Sequence, residues 1–231
     1  MPLLLIYAAA AVGACNSALA PIDVAPSCPE QPLRGPSRWS AEPGDQTIDD
    51  FEDGDDRVAR VAGRNGGWVL GVDGSSAIVT AEISSRCAGR GDWAGHLAGT
   101  GFTSWGVNWT ATFIDPASGP ALPYDGREYT GLSFWAAVGG GGVDPFELPV
   151  GLTTIDVAWN GGVCTTKCMD YYATTVSLSR AWRRVAISFD NLHQGGWGEP
   201  QVTMRRDQLV GFIVWPTRQF DLWIDDVRFE K

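Results

Sequence analysis

Short apolar or alternating runs recur along this chain between clusters of Gly, Asn, Asp and Ser, and no long segment sustains a helical period. That rhythm predicts strands. The expected ones run over Ile48 to Glu52, Gly67 to Val72, Ala77 to Ile83, Gly95 to Phe102, Val107 to Phe113, Gly131 to Ala137, Leu148 to Thr154, Tyr171 to Leu178, Arg183 to Phe189, Leu209 to Trp215 and Asp221 to Phe229. Gly-rich stretches at Ala137 to Val143 and Asn160 to Val163 mark exposed loops. Regularly spaced strands separated by turn signals indicate an all-β sandwich or jelly roll, and no internal repeat or interior charge run marks a second folding unit.

The 231 residues suffice for one well-buried unit plus a tail, and 27 acidic against 17 basic side chains leave a net charge of −10. Such a field repels phosphate backbones, so nucleic acid is not an expected partner. The opening MPLLLIYAAAAVGAC has a short apolar run followed by small residues, which reads as a secretory signal and is too short to span a bilayer. Val12 to Cys15 resembles a bacterial lipobox, although no Lys or Arg precedes the apolar run. The expected organisation is therefore a signal over 1–14, a Pro-, Ser- and Gly-rich tether over 15–45 beginning at a lipidated Cys15, and a folded module over 46–231. By resemblance to lipoprotein sorting rules, Asn16 after the cysteine favours an outer-membrane or cell-surface location.

Beyond Cys15 stand Cys28, Cys87, Cys164 and Cys168, an even number that permits three pairings in an oxidising compartment. The expectation is Cys164 with Cys168, closing the small CTTKC loop, and Cys28 with Cys87, pinning the tail. A zinc site is the alternative, but the chain has only two histidines, His96 and His193.

Two acidic, aromatic stretches bracket the expected module: IDDFEDGDD from Ile48 and FDLWIDDVRFE from Phe220. Strict alternation along the second puts Leu222, Ile224 and Asp226 on one face and Trp223, Asp225, Val227 and Phe229 on the other. A carboxylate on such an apolar strand needs a cation or hydrogen-bond donors. If the first and last strands meet, several carboxylates converge, an oxygen-rich environment that suits Ca²⁺.

DFEDGD at the front, WIDDVRF at the back and LHQGGWG (Leu192 to Gly198) between them resemble the galactose-binding-like jelly rolls, in particular CBM11-like carbohydrate-binding modules and CIA30-like domains of secreted bacterial lipoproteins. The resemblance runs from about Gln46 to Lys231. It implies a structural Ca²⁺ held by Glu52 and Asp226, with Asp50 and Asp225 as substitutes, and a glycan as ligand.

The 11 tryptophans carry the binding side of that expectation, because an indole offers a flat apolar face to a sugar ring and an N–H to a hydroxyl. Trp109, Trp135, Trp182, Trp215 and Trp223 lie within or beside apolar strands and are expected in the core. Trp68, Trp105, Trp159 and Trp197 neighbour Gly, Asn or Ser and are the stacking candidates. In KCMDYY, Asp170 could accept from a sugar diol, and alternation sends Tyr171 and Tyr172 to opposite faces, so one at most lines a groove. The bland reading is that Asp170 caps the turn. His193, Gln194 and Arg127 complete the polar candidates, while His96 reads as a strand histidine with a local partner.

No GxSxG, HExxH or P-loop is present, and Glu82, Glu128, Glu147 and Glu199 are scattered rather than paired as a retaining glycosidase needs. The expected activity is non-catalytic binding of a polysaccharide or other glycan. The rivals are an exported lyase or hydrolase on the same fold and a protein-interaction module of the CIA30-like kind.

Overall fold

The computed structural model describes residues 28–30, 43–87, 91–161, 163–201 and 203–231. The proposed signal, Cys15 and most of the 15–45 tether fall outside them. Eleven strands make up the fold: β1 (Thr47–Asp49), β2 (Trp68–Val72), β3 (Ile78–Ser84), β4 (Ala94–Thr100), β5 (Val107–Thr112), β6 (Gly131–Val138), β7 (Phe146–Thr154), β8 (Tyr172–Leu178), β9 (Arg183–Ser188), β10 (Leu209–Val214) and β11 (Phe220–Glu230). Each matches an expected strand, with ends displaced by three residues at most. The helical pieces among the described residues are two single 3₁₀ turns, and no helix there is long and apolar enough to cross a membrane.

All named strand pairs are antiparallel, in two sheets. One has the order β3-β4-β11-β6-β9, with β1 also on β11, and the other the order β2-β5-β10-β7-β8. Strand β5 shows why such sequences build a sandwich: Val107, Trp109 and Ala111 are buried, while Asn108, Thr110 and Thr112 are half-exposed on the far face. The central β10 (LVGFIV) is buried throughout, as a strand flanked on both edges and covered at both faces must be.

The two ends of the module meet, Thr47 opposite Arg228 and Asp49 opposite Val227. Alternation along β11 does not run straight through, however. The register slips between Asp225 and Arg228, where Asp226 adopts a left-handed φ of 50°. This bulge returns Val227 and Phe229 to the main core beside Leu222 and Ile224, and leaves Trp223 on the outer face with Trp182 and Cys87. The expected grouping of Val227 and Phe229 with Trp223 is thus corrected. The inserted residue shifts the two-residue period by one.

Arg64 fastens the junction from inside. It is 2% exposed, lies over the rings of Tyr124 and Phe229, and donates to Tyr124 Oη at 2.6 Å and to the Asp45 and Thr47 carbonyls at 2.7 Å each. Both expected disulfides, Cys28–Cys87 and Cys164–Cys168, are formed, which fits an oxidising, exported setting. The first ties residue 28 to the segment after β3, and Glu30 N–H then donates to the Arg180 carbonyl at 2.9 Å. His96 has the local partners expected of it: Asp221 at 3.0 Å, Glu82 at 3.3 Å and a stacked Trp223.

Asp49 is buried at the start of the clasp, accepting from Phe51 N–H at 2.8 Å and Trp68 Nε1–H at 2.7 Å. Burial is the largest influence on its carboxyl and, with the nearby Asp53 and Asp50 charges, holds the pKa well above the ordinary value despite those two donors. A carboxyl whose folded pKa exceeds its unfolded one contributes stability below the unfolded pKa and loses it as pH rises through the folded pKa. Urea melts at pH 7 and pH 5 are therefore expected to show the wild type gaining on Asp49→Asn as pH falls. Equal pH dependence in the two proteins would contradict the assignment.

Candidate functional site

The inner faces of β5, β7 and β8 fill the core, so the residues between their buried positions face outward. Asn108 of β5, Pro149 of β7 and Ala173 and Thr175 of β8 form the floor of a groove of about 430 Å³ on the outward face of the five-stranded sheet. Loops build its walls. Trp105 comes from the segment before β5, Met169 to Tyr171 from the segment before β8, and Trp215 from the residue after β10. His193, Gly195 and Trp197 enter from the loop after β9.

Trp105 and Trp197 are 43% and 57% exposed, an unusual state for large apolar rings unless something covers them in use. Tyr171 and Trp215 meet at 5.7 Å between ring centroids, tilted by 59°. Burial pushes the Tyr171 phenol up to about 12, so at neutral pH it is a neutral hydroxyl able both to donate and to accept. Four aromatic faces thus surround a floor carrying an amide and hydroxyls.

Asp170 lines this groove but is committed to it structurally. Its buried carboxylate accepts from the N–H groups of Gly195 at 2.7 Å and of Gly196 and Gly198 at 2.9 Å each. The carboxylate thus holds the loop, as the turn-capping reading expects. A Cβ on Gly198 would lie 2.2 Å from Asp170 Cβ, so that glycine is required by the close approach of this loop to Asp170, while Gly196 has a left-handed φ of 82°. Gln194 is engaged in the same way, donating to the Asp170 and Glu199 carbonyls and accepting from Gln201 N–H at 2.8 Å. It supports the loop without lining the groove.

Of the ten expected ligand residues, Trp105, Asp170, Tyr171, His193 and Trp197 line the groove. Tyr172 turns into the core, as alternation requires of one of the pair, and its hydroxyl donates to the Thr203 carbonyl. Trp68 is a core residue, 7% exposed and 4.2 Å from Trp109. Its glycine neighbour had suggested a loop, but it opens β2 on the inner face, and its indole N–H is satisfied by Asp49. Arg127 is exposed and forked onto Asp125, and Trp159, 70% exposed, is not among the groove's lining residues.

Trp215 and Asn108 were not anticipated as site residues. Alternation could have found both: Trp215 follows the inward Val214, and Asn108 sits between the inward Val107 and Trp109. Trp109, Trp182 and Trp223 are buried as expected, and Trp135 packs half-buried beside the last two.

Three of the four acids expected around calcium have protein partners of their own. Asp226 is paired with Arg228, Glu52 accepts from the N–H groups of Asp92 and Trp93, and Asp50 accepts from Glu52 N–H at 3.4 Å. Among the described residues no group of three or more His, Cys, Asp or Glu side chains is placed to hold a metal.

No family model matches this chain, and no curated protein matches it either. Solved structures do. The family 11 carbohydrate-binding module of the cellulosomal cellulase Lic26A-Cel5E of Clostridium thermocellum superposes with a TM-score of 0.52 at 16% identity, over 82% of this chain and 96% of that one. The family 11 module from Clostridium thermocellum in complex with a beta-1,3-1,4-mixed-linked tetrasaccharide gives 0.51 at 16% identity, over 80% and 94%. The chain has the two-sheet β-sandwich jelly-roll fold of these carbohydrate-binding modules.

Proposed function

We propose that this protein binds a neutral polysaccharide chain in the groove above the five-stranded sheet, without altering it chemically. The observation that carries the reading is the convergence of Trp105, Trp197, Trp215 and Tyr171 over a floor of Asn108 and threonine hydroxyls. Sugar rings present apolar C–H faces and a rim of hydroxyls, and this lining offers a counterpart to each. Among the described residues no Lys or Arg lines the groove, so no permanently charged cation there would select uronate or sulfate groups. The resemblance in fold to modules that accompany a cellulase, one solved with a mixed-linked tetrasaccharide, points the same way.

A glycosidase of the retaining or inverting kind uses two carboxyl groups flanking the scissile bond. Among the described residues the groove has one acid, Asp170, which three backbone N–H groups engage. Binding without turnover is therefore the better reading.

The test is affinity electrophoresis and calorimetry of the purified protein against soluble β-1,3-1,4-mixed-linked glucan, β-1,4-gluco-oligosaccharides, β-1,4-xylan and a uronate polymer, with reducing ends assayed in parallel. Retention by a neutral glycan without release of reducing ends is expected. Silence across the panel, with a protein retained in a pull-down, would favour an interaction module instead.

A structural Ca²⁺ is carried here as a proposal limited to the front of the clasp. Burial raises the Glu52 and Asp53 carboxyls, and acidic neighbours add to the rise, Asp50 ahead of Asp92 for Glu52 and Asp55 ahead of Asp50 for Asp53. A cation would relieve that repulsion, and Ca²⁺ can complete its shell with backbone carbonyls and water. Excess chelator is expected to lower the melting temperature, and Glu52→Ala to abolish the response. An unchanged melt, with no metal found in the purified protein, removes the ion from the account.

A further inference from the structure

Both exposed groove tryptophans sit on loops whose backbone N–H groups, on either side of the indole, are gathered by one carboxylate. For Trp197 the carboxylate is Asp170, described above. For Trp105 it is Asp73, in the turn that follows β2 and well outside any motif of the sequence. Asp73 Oδ2 accepts from Ser104 N–H at 2.9 Å and from Gly106 N–H at 3.1 Å, the residues immediately before and after Trp105. Its own N–H donates back to the Gly106 carbonyl at 2.9 Å. Oδ1 accepts from Ser75 N–H at 3.0 Å and from the Ser75 hydroxyl, which holds the carboxylate in place.

Gly106 completes the device. It has a φ of 86°, and a Cβ there would lie 2.3 Å from the Pro216 carbonyl oxygen. Its lack of a side chain lets the Trp105 loop close onto the segment that follows Trp215. Val107 N–H then donates to the same Pro216 carbonyl at 3.1 Å.

We propose that Asp73 is a positioning residue for glycan binding: its carboxylate clamps the loop around Trp105 so that the indole is held in its binding geometry before the ligand arrives. The inference rests on the groove being the glycan site. An exposed Trp on an unclamped loop would have to be ordered at the moment of binding, which costs affinity even when every contact in the complex is unchanged. Asp73 touches no lining position itself, so its effect passes through Trp105. Hydrogen bonding, led by Ser75, also keeps the Asp73 carboxyl far below the usual carboxylate range, so the clamp stays ionised across the pH range in which such a protein folds.

The test compares the wild type with Asp73→Asn and Asp73→Ala on the polysaccharide panel above, with Asp115→Asn as control. Asp115 is a similar surface carboxylate, held by Arg57 and by Ala117 N–H, and does not line the groove. Asp73→Asn keeps the size of the side chain but puts an N–H₂ against a donor. It is expected to raise Kd about five-fold, and Asp73→Ala about ten-fold, as loss of preorganisation does when contacts are kept. Asp115→Asn should leave Kd unchanged. The readout specific to positioning is the Trp105 indole N–H resonance, assigned from Trp105→Phe: sharp in the wild type, broadened or shifted in the Asp73 variants, with the Trp197 signal unmoved. If the wild type binds a glycan and the Asp73 variants bind it equally, the clamp is refuted while the groove stands. If the wild type binds nothing on the panel, the glycan reading itself fails, and the indole spectra alone judge whether Asp73 positions Trp105, a sharp unshifted signal in Asp73→Ala overturning the proposal.

Discussion

Arg64→Ala is expected to cost about 4 kcal/mol of stability, close to the upper end for a single substitution. Two opposing terms decide this. Burying a guanidinium forfeits hydration, and its hydrogen bonds go to uncharged oxygens, so removing the charge recovers some of that loss. Against this, the Thr47 carbonyl and the Tyr124 hydroxyl lose a donor in the interior, at about 1–3 kcal/mol for each group left unsatisfied, while the Asp45 carbonyl keeps the Tyr129 hydroxyl as a donor. The rings of Tyr124 and Phe229 also lose the plate they pack against, leaving a cavity. Two buried acceptors short of a donor and a void outweigh one recovered desolvation. The fall should appear in urea melts and as a drop of about 10 °C in Tm, given about 2–4 °C per kcal/mol for a chain of this size. Arg64→Met separates the terms, since it fills the space but donates nothing. A loss below about 1 kcal/mol in Arg64→Ala would show that the clasp between β1 and β11 does not depend on this side chain.

The double variant Trp105→Ala/Trp197→Ala is expected to weaken glycan binding about 100-fold, while stability stays within about 0.5 kcal/mol of the wild type. Both rings are largely exposed, so the folded protein gains little from them. A ligand laid along the groove would bury them, and each buried indole face contributes on the order of 1–2 kcal/mol to an open site, so two give the stated factor. Trp159→Ala serves as the control. Trp159 is more exposed than either, yet it does not line the groove, and its loss should leave binding unchanged. Calorimetry checks the prediction. Undiminished binding by the double variant would move the ligand to another surface.

Strand after strand was legible in the amino-acid order, because the two-residue alternation of buried and exposed side chains is a local property that turn residues interrupt cleanly. The two disulfides followed from cysteine spacing, and the opposite fates of Tyr171 and Tyr172 from alternation. What the chain order could not decide was which polar groups would be claimed by distant backbone. Asp170 is spent on glycines twenty-five to twenty-eight residues away, and Asp73 on N–H groups more than thirty residues away. A bulge at Asp226 reverses the facing of the last strand beyond it, which strict alternation could not foresee. Trp68 and Trp159 likewise have similar surroundings along the chain but opposite burial in space. Local order specifies which residues can pair in a strand; only the packed sandwich determines which donors and acceptors are left for a ligand, because hydrogen bonds are satisfied through space rather than along the chain.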